Sequence, residues 1–355
     1  MRIQHLRLAD FRNISFAEVA LGYDRVFLLG CNGQGKTNLL EAVGLLPALR
    51  SFRTQETGLL VRHGCPAAQL GYSLRHEQEG DVNITFSLTP KQKTVTVDGE
   101  KVRQFSAYLG RFPVVAFCAD DIDLLRGSPT GRRRWLDLAI SAGDPGYLEA
   151  LRRYYGALAG RNQLLRQAQP DANQLLAFEK AMAPCAVRIT TRRKEILTEL
   201  GLGLEEACAC IGLADGASGL VYSPNVMPDD IGAWLEVYQR QRPSDIMMRA
   251  TQRGPHRDDF DFRFSGRHAQ DVASEGQQRG LVLGLSLSLL AHFRRQTQTT
   301  PIVLADDILG ELDPVRKEGF WKALGSECQV LATGTVLPAD VDSWHVITVS
   351  DGHYS

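Results

Sequence analysis

Gly30-Cys31-Asn32-Gly33-Gln34-Gly35-Lys36-Thr37 has the form G-x4-G-K-[ST], and its residue types at that spacing match the chemistry of holding a polyphosphate. The glycines let backbone N–H groups turn inward, and a helix opening at the lysine adds the positive end of its dipole. Lys36 would reach the β- and γ-phosphates of ATP, and the Thr37 hydroxyl would hold Mg2+. Asn38 follows the loop directly, and Arg12 and Asn13 are further candidates for its neighbourhood, near adenine or phosphates. A second feature is the apolar run Ile302-Val303-Leu304-Ala305 closing in Asp306-Asp307. An apolar strand ending in acids is where a phosphate-loop ATPase organises its Mg2+. Asp306 is the candidate for that metal, through a bound water, and Asp307 for positioning the attacking water; together they are the expected catalytic pair. An aspartate is one methylene shorter than a glutamate, which predicts slow hydrolysis. Read alone, two acids after a strand are equally a solvated loop; the phosphate loop is what gives them weight.

Ser274-Glu275-Gly276-Gln277-Gln278-Arg279 precedes an apolar stretch over residues 281–290 and lies 32 residues before Asp306. A helix N-terminus there would supply a second anion site, with Ser274, Gly276 and Gln277 as its donors. After the acids comes Gly310-Glu311-Leu312-Asp313, in which Asp313 before Pro314 also reads as an ordinary helix N-cap.

The elements that must position these residues are partly visible. Within residues 1–29 two strands are expected, one on the alternation of Ile3-Gln4-His5-Leu6-Arg7-Leu8 and one on the apolar run Val26-Phe27-Leu28-Leu29, which feeds the loop. Residues 37–49 carry helical spacing. Residues 69–103 alternate again, with an Asp98-Gly99 turn that predicts a hairpin, and Val114-Val115-Ala116-Phe117-Cys118 is another short strand. From Gly131 to about Leu213 the pattern is helical, broken near Asp144-Pro145-Gly146 and Gln169-Pro170-Asp171. Alternation resumes over 258–265. A helix over 275–295, the strand Ile302-Val303-Leu304, and a last helix and strand complete the chain. The expected architecture is α/β: an ATPase lobe assembled from both chain ends (residues 1–125 and 296–355), with a mainly helical second lobe inserted (126–295) that carries the serine-glycine string.

The 355 residues suffice for such a core, and 44% hydrophobic with 23% charged residues is an ordinary globular balance. No run of apolar residues is long enough for a membrane helix, and the charged, alternating start does not read as a secretory signal. Seven scattered cysteines without a CxxC pair predict reduced thiols and a cytoplasmic location. Net charge is −1, yet residues 126–194 hold thirteen Lys and Arg against five Asp and Glu. Two readings stand for this segment, a face that meets nucleic-acid phosphates or a solvated helical surface. The candidates are Arg132, Arg133, Arg134, Arg152, Arg153, Arg192 and Arg193. Arg132–Arg134 could equally pair with Asp137 or support the nucleotide. Tyr154 and Tyr155 read as base-stacking or as core residues, and His63 and His256 as hydrogen-bonding residues without a ligand cluster.

The loop, the acids, the serine-glycine string and the Gly310 segment, in this order, resemble the ATP-binding-cassette (ABC) superfamily. There the S-x-G-Q signature caps the γ-phosphate held by the other protomer, so that ATP closes a dimer. From Lys36 to Ser274 is 238 residues, too long for a transporter domain and far too short for the coiled coils of chromosome-structure (SMC) ATPases, whose heads the lobe otherwise resembles. The switch histidine of transporters is absent; Ala332-Thr333-Gly334-Thr335 occupies that region. A transporter ATPase subunit and a phosphate-loop small-molecule kinase are the competing readings. Phe11-Arg12-Asn13, the Asn32 to Asn38 string with Leu39-Leu40-Glu41-Ala42, Arg53-Thr54, Arg62-His63-Gly64, Leu125-Arg126-Gly127-Ser128-Pro129, Arg132-Arg133-Arg134-Trp135-Leu136-Asp137, Arg161-Asn162, Gly254-Pro255-His256-Arg257-Asp258-Asp259 and the Ser274 string together resemble the bacterial RecF family. Departures are Ala119 where that family usually has Pro, Trp135 where it has Phe or Tyr, and Gly310 where Ser or Ala is usual. The resemblance implies a homodimer formed on ATP, binding to double-stranded DNA and to single-strand/double-strand junctions, and weak DNA-dependent ATP hydrolysis. It also implies recombination-mediator partners of the RecR and RecO type, and a role in recombinational repair and replication restart.

Overall fold

The computed structural model describes residues 1–54, 56–213, 216–310, 312–338 and 340–355. The chain separates into two units: unit 1 is Met1–Ile122, Gly203–Asp215 and Arg279–Ser355, and unit 2 is Asp123–Leu202 and Gly216–Gln278. Unit 1 opens with the antiparallel pair β1 (Arg2–Phe11) and β2 (Ile14–Ala20), followed by β3 (Arg25–Leu29), the phosphate loop and α1 (Lys36–Gly44). Strands β4 (Ala68–His76), β5 (Gly80–Leu88), β6 (Lys93–Val97) and β7 (Glu100–Lys101) then join the first pair in a sheet of order β2-β1-β4-β5-β6-β7, and β8 (Val114–Cys118) leaves it. Burial alternates along this sheet: Ala68, Leu70, Tyr72 and Leu74 are buried while Gln69 and Arg75 are exposed, as one-sided packing requires. Asp98 and Gly99 turn the β6–β7 hairpin with φ of 49° and 83°, the two left-handed residues of a type I′ turn.

Unit 2 contains α2 (Asp123–Arg126), α3 (Pro129–Gly143), α4 (Pro145–Leu165) and α5 (Ala172–Cys210) up to Leu202. β9 (Ser218–Ser223), α6 (Ile231–Met248), β10 (Asp259–Phe264), β11 (Arg267–His268), α7 (Ala269–Val272) and the first turn of α8 (Glu275–Thr297) follow. Asp144 makes the break between α3 and α4. Its N–H still bonds to Ile140 in α3, while its carboxylate accepts from Tyr147 N at 2.8 Å to cap α4.

Back in unit 1, β12 (Ile302–Asp306), α9 (Pro314–Leu324), β13 (Val330–Gly334), β14 (His345–Ser350) and β15 (His353–Tyr354) complete the second sheet, of order β15-β14-β3-β13-β12-β8. Its five strands from β14 to β8 run parallel. The apolar runs of β3, β13, β12 and β8 reflect burial on both faces, while β14 alternates, with Thr348 and Ser350 exposed.

The units divide the chain differently from the lobes expected above. The first junction lies at Asp123 rather than 126. Residues 203–215 and 279–295, expected in the inserted lobe, belong to unit 1. Close helix packing is the reason. A methyl group at Gly284 would meet Cys208 Sγ at 2.9 Å and Leu204 at 3.0 Å, and one at Gly203 would meet Ser288 Oγ at 2.3 Å. The α5 and α8 backbones approach so tightly here that both have glycine at the contact. The helix expected over 37–49 ends at Gly44, and β2, β9 and α6 were not foreseen.

Unit 2 has a polar core as well as an apolar one. Arg193, 1% exposed, donates to Asp137 (2.8 Å), Asp258 (2.9 Å) and the Pro255 carbonyl (2.6 Å). Arg161, fully buried, donates to Glu179 (3.0 Å), Asp245 (2.8 Å) and Thr251 (2.8 Å). Buried charges persist only with such partners. His256 sits nearby, its Nδ1 2.8 Å from Tyr154 Oη and its Nε2 3.0 Å from the Thr251 carbonyl. A carbonyl only accepts, so Nε2 carries the proton and Nδ1 accepts from the tyrosine. Burial, aided by the charges of Arg257, Arg133 and Arg161, pushes the His256 pKa down to about 4. The folded value lies below the unfolded one of ~6.5. The neutral ring's contribution to stability is therefore complete above that value and is lost as pH falls toward about 4. Asp121, pushed up to about 7 by burial, acts with the opposite sign in the same window. The comparison that isolates the histidine is thus wild type against His256→Gln. In urea unfolding, the stability lost through His256→Gln should shrink between pH 7 and pH 5. A loss independent of pH would refute the assignment.

Candidate functional site

The phosphate loop leaves β3 at Gly30, whose N–H donates to the Gly334 carbonyl at 3.3 Å. A Cβ there would stand 2.4 Å from the Val349 carbonyl oxygen, so only glycine fits. Gly33 and Gly35 take left-handed φ values of 82° and 111°, open to glycine at little cost. Gly35 occupies the N-cap of α1 and has no side chain with which to cap it, so the first amides of the helix face an incoming acceptor. Lys36 folds back over the loop, its Nζ donating to the carbonyls of Gly30 (2.7 Å) and Cys31 (3.0 Å). Cys31, Asn32 and Gly33 form the exposed rim.

The loop's outer side is tied to the C-terminal hairpin. Gln34 Oε1 accepts from Asp351 N at 2.7 Å, the Gln34 carbonyl accepts from Gly352 N at 2.9 Å, and Tyr354 donates to the Gly35 carbonyl at 3.0 Å. Asn13 joins the loop as well: its Oδ1 accepts from Asn38 Nδ2 at 2.7 Å. Arg12 takes a different course, forking onto Glu41 of α1 at 2.8 and 2.7 Å. Glu41 is fully buried and also accepts from Ser51 and, at 3.3 Å, from Arg53.

The parallel sheet brings the acids to the loop. Thr37 Oγ1 donates to Asp306 Oδ1 at 3.0 Å across 269 residues of sequence. Burial raises the Asp306 carboxyl above the ordinary range, while donations from Thr333 and Thr37 and the charge of Arg53 pull it back. Asp307 is exposed at the end of β12 with a left-handed φ of 55°. These residues fit a triphosphate with its metal: uncapped helix amides, a lysine over the loop, and a hydroxyl beside a carboxylate. Sequence reasoning missed Thr333, Glu41 and Arg53 as site residues. Arg53 and Glu41 entered only as parts of a family string, and Thr333 only as the occupant of a missing histidine's region.

The other expected residues lie in unit 2 or after the acids. Ser274 and Gln277 form a capping box at the start of α8, Ser274 N donating to Gln277 Oε1 at 2.8 Å and Gln277 N to Ser274 Oγ at 3.3 Å. Ser274 is exposed and Gly276 half-buried. Asp313 is an N-cap, accepting from Arg316 N at 3.0 Å; Gly310 is exposed, and Glu311 lies outside the described residues.

The basic segment divides sharply, and two of its arginines are withdrawn as DNA contacts. Arg193 is spent in the core, on Asp137 among others. Arg132, 9% exposed, forks onto Asp259 at 2.7 and 2.8 Å and donates to the Gly127 carbonyl at 2.9 Å. Arg133 donates to the Asp258 carbonyl at 2.7 Å. Arg192 pairs with Asp144 and Glu195, and Arg153 with Glu149 on an exposed helix face. Arg152 is exposed and Arg134 half-buried. Tyr154 is fully buried, and Tyr155 packs edge-on against it at 5.7 Å.

No family model matches the chain. Whole-chain comparison with curated proteins is decisive instead. The chain is 31% identical to the DNA replication and repair protein RecF of Crocosphaera subtropica, covering 97% of this chain and 96% of that one. To the RecF of Lactobacillus johnsonii it is 33% identical, covering 98% and 95%. Among solved structures, the recombination mediator protein RecF with ATP, described in the RecFOR pathway, superposes with a TM-score of 0.90 at 27% identity, covering 100% of this chain and 97% of that one. An SMC head bound to the C-winged-helix domain of ScpA superposes with a TM-score of 0.54 at 14% identity over 100% and 97% of the two chains; it shows the fold alone. Two motifs 269 residues apart in sequence that meet at one helix N-terminus, on that fold and with that similarity over the whole length, mean that the chain belongs to the RecF family of DNA replication and repair proteins.

Proposed function

We propose that this RecF-family protein is an ATP-gated DNA clamp of recombinational repair and replication restart, in which two copies close on ATP and slow hydrolysis times their release. The observation that carries the reading is the Thr37–Asp306 contact of 3.0 Å beside the uncapped start of α1. The loop amides from Gly30, Asn32, Gly33, Gln34 and Gly35, with Lys36, would hold the phosphates, and Thr37 with Asp306 would hold Mg2+. Bound Mg2+ would neutralise charge developing on the terminal phosphates. Asp307 would orient the attacking water, with a shorter arm than glutamate. The transporter-subunit and kinase readings, which the loop alone leaves open, give way to membership of the RecF family.

The exposed capping box at Ser274, with Gly276 and Gln277, suits a second anion site that completes the nucleotide site of a partner copy. A helix start turns the positive end of its dipole toward such an anion. Of the basic segment, Arg133, Arg134, Arg152, Arg153 and Arg192 remain as candidates for DNA phosphates, and such contacts would be indifferent to sequence. Gapped or junction DNA as target, and RecR- and RecO-like partners, come from the family and from the RecFOR context of the solved relative. Among the described residues no helix is long and apolar enough to cross a membrane; the proposed site of action is the cytoplasm.

Light scattering with a non-hydrolysed ATP analogue tests the clamp directly. Wild-type protein should shift from monomer to dimer mass. Lys36→Met should lose nucleotide binding and the shift together, whereas Ser274→Arg should keep the nucleotide affinity of the monomer within about twofold and lose only the shift, because surface changes away from packed features cost little. A wild type that stays monomeric with the analogue bound would rule the clamp out, and a dimerising Ser274→Arg would remove the trans role of the signature.

DNA binding is tested on duplex, single-stranded and gapped substrates, each with and without ATP. Affinity should rise with ATP and be greatest for gapped DNA. Reversing Arg152 and Arg153 should lower the salt slope of binding by about one for each phosphate that is no longer neutralised. An unchanged slope would move the DNA surface elsewhere. Arg193→Glu should instead unfold unit 2, visible as lost cooperativity in thermal melting.

A further inference from the structure

Thr333, the penultimate residue of β13, is 2% exposed, and its single hydroxyl touches both acids at the end of β12. Its Oγ1 donates to Asp306 Oδ1 at 2.8 Å, lies 3.3 Å from Asp307 Oδ1, and accepts from the Asp307 N–H at 2.9 Å. A hydroxyl carries one hydrogen, so it serves one carboxylate at a time, and the shorter distance goes to Asp306. The same Asp306 oxygen accepts from Thr37 at 3.0 Å. Asp307 holds a left-handed φ of 55°, a backbone conformation that costs a non-glycine residue energy unless neighbours hold it. Parallel pairing of Ala332 with Ala305 puts Thr333 abreast of Asp306.

We propose that Thr333 is the positioning residue of the hydrolytic site: its hydroxyl couples the orientation of Asp306 to the backbone of Asp307, and so sets the turnover step without contributing to nucleotide affinity. This rests on the nucleotide reading of the site given above. The Thr333 hydroxyl bonds to the two acids, and it acts through them. It stands in the region where transporter ATPases carry their switch histidine, and it can neither titrate near neutral pH nor reach as far. Its reach ends at the acids, which suits coupling within one chain.

The test compares Thr333→Val, nearly the same shape without the hydroxyl, with Thr333→Ser, which retains it. Three measurements are made on the full chain: hydrogen exchange of the Asp307 amide without nucleotide, affinity for a fluorescent ATP analogue with and without Mg2+, and ATP turnover with DNA. Thr333→Val should lose Asp307 protection and slow turnover about tenfold or more, while affinity changes by less than about twofold. Thr333→Ser should stay close to wild type in all three. Wild-type turnover in Thr333→Val, or an equal fall in Thr333→Ser, would overturn the proposal, since then the hydroxyl is not what matters. Unchanged Asp307 exchange in Thr333→Val would overturn the coupling alone. Failure of the wild type to bind the ATP analogue would instead sink the nucleotide reading on which the proposal rests.

Discussion

A phosphate loop is backbone with its amides turned toward a ligand and its other side in need of support, and that requirement organises unit 1. Gly33 and Gly35 supply the left-handed turns. The glycines themselves do not keep those turns in place, because glycine is as free in the unfolded chain as it is permissive in the folded one. The restraint comes from the loop's own lysine and from outside. Lys36 holds the carbonyls of Gly30 and Cys31, Gly30 holds Gly334, and the hairpin residues Asp351, Gly352 and Tyr354 hold Gln34 and Gly35. Most of these partners are more than 290 residues away in sequence. The loop can therefore keep its shape only if both ends of the chain enter one sheet, with β14 and β13 on either side of β3.

That same sheet order decides where the acids stand. β3 and β12 are not neighbours; β13 lies between them. Asp306 nonetheless reaches Thr37, and the Thr333 hydroxyl of β13 bonds to the same carboxylate oxygen. Behind them, Glu41 takes Arg12, Arg53 and Ser51 in a buried cluster on α1. A buried carboxylate with three partners fixes the helix that carries the phosphate amides, and it places the Arg53 charge close enough to Asp306 to lower its carboxyl.

What the sequence made legible is what is local in it. The G-x4-G-K-T loop, the apolar runs of the parallel strands and the Asp98-Gly99 turn each carry their signal in a few consecutive residues. β2 was missed because Ile14-Ser15-Phe16-Ala17-Glu18-Val19-Ala20 alternates imperfectly, with exposed Phe16 on the outer face and Arg7 stacked over it. The basic segment is ambiguous for a similar reason. A charge count cannot see that the partners of Arg193 are Asp137, 56 residues before it, and Asp258, 65 after it. Three of the thirteen basic residues of that segment, Arg132, Arg161 and Arg193, are buried in unit 2. Assembling them requires α3, α4, α5 and the turn Pro255–Arg257 before β10 to arrive together, since any one partner missing leaves a desolvated charge unpaired. Thr333 was invisible because an Ala-Thr-Gly-Thr string has no periodicity or motif that singles out its second residue. Only the pairing of β12 with β13 does so.

On the proposed reading, the geometry also bears on why this site should hold a nucleotide longer than it takes to cleave it. Positioning a water for in-line attack demands a carboxylate kept within a few tenths of an ångström of its place. Asp307 has the shorter arm, is exposed, and stands on a left-handed backbone whose restraint among the described contacts comes from Thr333. Asp306, by contrast, is half-buried and doubly bonded by Thr333 and Thr37. Rigidity is thus concentrated on the residue that would hold the metal and spared on the one that would orient the water. Binding energy then goes chiefly into the bound state, which two copies can share, and little of it into the transition state. For a clamp whose work is to stay closed on DNA this is the useful division.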